Sequence, residues 1–157
     1  MLTKYSILTR ELGSTFRRTR PASARILTDE LSDALIDSVR AMPGVGEAEA
    51  RPMVPARVRV GPDQWAAAVL FVVRDFDDQR IDVIGRDVGA WPPAEGQVLI
   101  ERASLPVAHA IVGDTLAMRL AGGGDTRLEV AGTVHAAGLA PGWMDHVVIG
   151  FVGWRSP

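Results

Sequence analysis

The chain has 157 residues, 47% of them hydrophobic and 23% charged, with a net charge of −2 and no cysteine. That length allows one domain, in one or two lobes, with enough buried surface to need no cross-links, and the composition is that of a globular chain. Without cysteine there are no thiol nucleophiles, thiolate metal sites, iron–sulfur clusters or disulfide frameworks, and so small a net charge supplies no field to gather nucleic acid.

The longest apolar run is Trp65 to Val73, well short of the ~20 residues a bilayer-spanning helix takes. Residues 1–20 are polar and lack the apolar centre of a signal peptide. Any exporting or anchoring segment is therefore expected outside this stretch. Residues 1–21, with Phe16, Arg17, Arg18, Arg20 and Pro21, show no period and read as an extended leading segment. Its arginines suit either anionic lipid head groups or a solvated flank.

From Thr28 the pattern becomes helical. Thr28 stands as a cap, Asp29 and Glu30 fall in the first turn, and Leu31, Leu35, Val39 and Met42 share a face until Pro43-Gly44. Val54, Ala56, Val58 and Val60 then alternate with Pro55, Arg57 and Arg59, as in a strand with one wet face. Gly61-Pro62-Asp63 marks a turn into a second strand, Trp65 to Val73, so the two predict a long hairpin.

The stretch 74–87 is charged and broken, and Gly89–Gly96, with two consecutive prolines, reads as a rigid loop. Val98 to Ile100 is a short strand, and residues 102–110 suit one or two helical turns. Leu116, Met118 and Leu120 alternate, the tip Gly122–Asp125 follows, and Leu128 and Val130 alternate again, which predicts a second hairpin. Residues 146–152 supply a last strand. The expected fold is α+β, mostly antiparallel sheet, with one main amphipathic helix, one short helix and possibly two small lobes.

Chemistry-bearing residues are few. His135, Asp145 and His146 would make a metal site or an acid–base group if the connection between them folded back; otherwise they are polar residues at strand ends. No HExxH or GxSxG motif is present. Gly44–Glu49 follows a helix and lacks the third glycine of a dinucleotide fingerprint, and no lysine follows the glycines at 121–126, so both read as turns. Trp65 opens an apolar strand and is assigned to the core. Trp91 and the Trp143–Met144 pair sit among prolines and glycines, where such side chains either plug the core or wait for a partner.

In order, the chain carries LTREL, PASARI, MPGVGEAEAR, PARVRV, FDDQRIDVI, GAWPPAEGQVLIERASL, VGDTLAMRL, LEVAGTVHAAGLAPGWMD and VVIGFV. This order resembles the extracytoplasmic, MacB-like periplasmic core domain of FtsX-like ABC transporter permeases over nearly the whole length. The resemblance implies a non-enzymatic domain on the outer face of the cell membrane, belonging to an integral membrane protein and needing no cofactor. Residues 22–157 would form the core domain, and residues 1–21 would follow a transmembrane helix that is not in this sequence.

Its implied partners are the permease's own membrane helices, a cytoplasmic ABC ATPase subunit acting through them, and an extracytoplasmic protein, peptide or lipid, with no nucleic acid. Trp91, Trp143 and Met144 are the candidate contacts. Two alternatives remain: a metal-dependent or acid/base hydrolase around His135, Asp145 and His146, and a free-standing binding module.

Overall fold

The computed structural model describes residues 18–154. Only the last four residues of the leading segment fall within that range, and Arg17 lies outside it. Chain contacts divide the molecule into two compact units. The first takes in residues 18–50, 79–85 and 136–139 of the described chain; the second takes in 51–78, 86–135 and 140–154.

The second unit is a barrel. Its strands are β1 (Met53–Gly61), β2 (Gln64–Val73), β4 (Gln97–Glu101), β5 (Thr115–Leu120), β6 (Asp125–His135) and β7 (Val147–Gly153), with β3 (Gly85–Gly89) laid beside β6. Around the ring the order is β6-β4-β7-β2-β1-β5, and β5 pairs back onto β6 to close it. Closure removes the unpaired edges that an open sheet must otherwise protect.

Both expected hairpins are present. In the β1–β2 hairpin Gly61 faces Gln64 across Pro62-Asp63, and in the β5–β6 hairpin Arg119 faces Asp125 across the glycine tip. The expectation of a mostly antiparallel sheet holds only in part. The β2–β7 and β4–β6 ladders are parallel, leaving four antiparallel ladders in the ring. The β2–β7 ladder matches Ala67 with Val147 and Val73 with Gly153. Alternation in a local window reports which residues face inward and not which distant strand lies alongside.

The barrel interior follows from the period of two. Ala56 and Val58, Ala68 and Leu70, Val98 and Ile100, Leu116 and Met118, Leu128 and Val130, and Val148 and Val152 all point into one cluster, each strand giving two residues. Between Val148 and Val152 stands Gly150. A Cβ there would lie 2.9 Å from both Leu70 Cδ2 and Val98 Cγ2, so the centre is already full and a larger residue would have to displace those methyls.

β3 was unexpected, because GRDVG has no apolar alternation and is largely exposed. What brings it to β6 is backbone proximity: a Cβ on Gly89 would collide with the Ala131 carbonyl, and one on Gly132 with the Val88 carbonyl. The paired glycines let the strands pass closely, and Thr133 Oγ1 donates to Asp87 Oδ2 at 2.9 Å.

In the first unit the main helix, α1 (Asp33–Arg40), is shorter than its sequence pattern. Thr28 does not cap it; its hydroxyl closes a local turn with Glu30. Ser32 is the cap, its Oγ accepting from Leu35 N at 3.2 Å. No residue of α1 is buried, and Leu35 remains 40% exposed. Polar links join its described residues: Glu47 bridges Arg40 at 3.1 Å and Arg80 at 3.2 Å, and Arg25 pairs with Asp82 at 3.0 Å. Arg18 and Arg20 are exposed. Among the described residues, no helix is long and apolar enough to cross a membrane.

Candidate functional site

Two short helices follow from local sequence at the barrel. A 3-10 turn (Arg102–Ser104) leads into α2 (Leu105–Ala108), with Pro106 in its first turn, where a missing N–H costs nothing. The second, α3 (Gly142–Asp145), occupies the connection that the sequence reading left irregular. Each ends on a histidine in the left-handed conformation: His109 at φ 50° and His146 at φ 51°. Such a residue stops the helix and turns the chain away from it.

Ser104 ties its turn to β7 and packs under α3. Its Oγ is fully buried, accepts from Ile149 N at 3.0 Å and lies 3.4 Å from the Val147 carbonyl, to which it donates. Gly142 packs directly on this hydroxyl, since a Cβ there would collide with Ser104 Oγ and Val147 O. The next two residues therefore leave a pinned turn, and Trp143 and Met144 are 60% and 59% exposed.

Between α2, α3 and the start of β2 lies a cleft of about 580 Å³. Trp65, His109, Trp143 and His146 supply its rings, and Pro106, Val107, Ala66 and Ala67 its apolar floor. No acidic side chain is among the lining residues. The Arg119 guanidinium sits 4.7 Å over the Trp65 ring, a cation–π contact, and Asp125 holds it at 2.9 Å. That hydrogen bond, and then the charge of Arg119, keep the Asp125 carboxyl below its ordinary range.

His109 Nδ1 lies 3.1 Å from the Val60 carbonyl. A carbonyl only accepts, so Nδ1 carries a proton in this contact.

The other sequence candidates are placed as follows. Trp91 is half-buried and engaged within its own unit, its indole N–H donating to Asp77 Oδ1 at 3.0 Å and its ring meeting Phe76 edge-on at 5.0 Å. His135 is half-buried at the end of β6, Asp145 is exposed, and His146 lines the cleft. Among the described residues no hydrogen bond or ion pair joins these three, and no group of three or more acidic or histidine side chains is arranged to hold a metal ion.

Sequence reading missed two members of the cleft. Trp65 was assigned to the core but is only half-buried. His109 carried no signal at all, because what brings it beside His146 is the pairing of β2 with both β1 and β7.

The fold and cleft together define a closed six-stranded barrel with an aromatic recess beside two short helices. Compared with known proteins, the chain matches no family model and no curated protein sequence.

Proposed function

We propose that this chain is the extracytoplasmic domain of an FtsX-like ABC permease, which relays ATP hydrolysis by a cytoplasmic subunit to a protein, peptide or lipid outside the membrane. In this reading it has no reactive centre of its own. Its partner contact is the Trp143–Met144 turn, and the carrying observation is that this pair is exposed on a turn anchored by Gly142 against a buried hydroxyl. Tryptophan and methionine are enriched where proteins meet, and a pre-fixed turn lowers the ordering cost of docking. The order of sequence motifs supports the permease assignment. The closed ring of six strands supports the mechanical part, because a ring with no unpaired edge of its own resists peeling strand by strand.

Reading the gene on either side of this segment tests the assignment. Apolar runs of about 20 residues should border it, with an ATPase gene beside it. A gene encoding no such runs, or turnover of ester or phosphoester substrates by the purified chain, would sink the reading.

A further inference from the structure

We propose that the outer wall of the barrel across β1, β5 and β6 docks on an anionic phospholipid surface, its arginines meeting lipid phosphates and the Trp143–Met144 turn entering the head groups. The inference names the partner of that turn and so rests on its reading as a contact, but it does not need the permease assignment.

Strand register gathers the charge. Val58, Met118 and Leu128 point into the core, so their neighbours along each strand face out: Arg57 and Arg59 on β1, Arg119 on β5 and Arg127 on β6, all exposed. Arg57 stands directly opposite Arg119, and Arg127 opposite the small Ala117. Asp125 answers Arg119 at 2.9 Å. Among the described residues no carboxylate pairs with Arg57, Arg59 or Arg127, and the next acid on this face, Glu129, stands one step along β6 opposite Thr115. Like charges directly opposite one another weaken a sheet. The chain as a whole carries net −2, so this wall concentrates positive charge that the rest of the molecule does not share. An anion placed over it relieves the repulsion.

The form of that anion follows from what the wall offers. Guanidinium groups only donate, in a fork that fits phosphate or carboxylate oxygens. An acidic peptide brings backbone N–H groups of its own, which would face this array of donors, and it finds no free strand edge to pair with because the ring is closed through β1, β5 and β6. Lipid phosphates bring acceptor oxygens in many copies and ask for no such edge.

The border of the wall fits the same occupant. Arg119 lies 4.7 Å over the Trp65 ring, and Trp65 shares a cleft with Trp143, which with Met144 is 60% and 59% exposed. Cationic side chains beside exposed tryptophan are the combination that settles at the head-group level of a bilayer, the charge on phosphates and the indole just beneath.

The test mixes the 157-residue chain with vesicles of equal parts phosphatidylcholine and phosphatidylglycerol, and separately with pure phosphatidylcholine, and follows co-sedimentation. Binding should occur only with the anionic vesicles, shift tryptophan emission to the blue, and be released by high salt. Arg57→Gln and Arg127→Gln should each weaken it about fivefold, the share of one arginine at an anionic surface. Arg86→Gln, on β3, should leave it unchanged. Trp143→Ala should weaken it several-fold and reduce the blue shift. Arg57→Gln removes the like-charged neighbour of Arg119, so its melting temperature should not fall, which separates lost binding from lost fold.

No binding to the anionic vesicles at low salt overturns the proposal, as does equal binding to pure phosphatidylcholine, or undiminished binding by Arg57→Gln, Arg127→Gln or Trp143→Ala. Capture of poly-glutamate without binding to vesicles would also overturn it, assigning the wall to an acidic protein segment. Vesicle binding by a chain whose gene lacks bordering apolar runs would remove the permease and keep the lipid surface. Absent binding with those runs in place would remove the lipid surface alone.

Discussion

At the scale of single residues, glycine and serine decide whether the recess exists. Gly142→Ala must push a methyl into Ser104 Oγ and the Val147 carbonyl, and overpacking of this kind costs about 1–3 kcal/mol. Gly122→Ala meets nothing within 4 Å and should change stability by less than about 0.5 kcal/mol. Urea denaturation of the two variants side by side measures the contrast. Ser104→Ala leaves the buried Ile149 N–H without its acceptor, which is expected to cost about 1–3 kcal/mol. Because Gly142 of α3 packs on the same hydroxyl, that variant should also shift the fluorescence of Trp143.

At the scale of elements, α1 and its neighbours behave unlike the barrel. Leu35→Ala removes a side chain that is already 40% exposed, so its cost should be far below the 2–5 kcal/mol of a core truncation such as Met118→Ala. Ser32→Ala removes a real cap and should cost about 1 kcal/mol.

Acid should loosen this unit through Glu47. The Ala48 amide, and after it Arg80, hold the Glu47 carboxyl below its ordinary value of 4.5. A depressed carboxyl stabilises the fold above that ordinary value and loses its contribution as pH falls through the lower, folded one. Exchange of the Ala48 amide should therefore lose protection in that acidic window, once corrected for intrinsic rates. Glu47→Gln should flatten the dependence.

These elements also show what sequence can convey. Alternation along β1, β5 and β6 correctly marks the inward residues, because one face of each strand is dry. The pattern of α1 was visible but misleading: Leu31, Leu35 and Met42 repeat as a core stripe would, yet all three are exposed. Periodicity records that a face is apolar and not that anything covers it.

For the whole molecule, closure is the property that local reading could not supply. The hairpins were legible because their partners adjoin in sequence. Joining them through β7, which lies between β2 and β4, depends on matches some eighty residues apart, such as Ala67 with Val147. No window of sequence contains both sides of that ladder. The candidate site divides the same way. Trp143 and Met144 stood out by residue type in an unlikely setting, whereas His109 and Trp65 join them only once the ring has formed.

The parallel match of β2 with β7 also sets how the molecule answers a pull. Seven successive residue pairs run from Ala67–Val147 to Val73–Gly153 in unbroken register. Tension drawn along β7 through Trp154 loads those bonds together, in shear, whereas tension across a hairpin tip would part them one at a time. Stretched in that direction in an optical trap, the barrel should give way in one abrupt step at high force. Stretched from the β5–β6 tip, it should unzip gradually at low force.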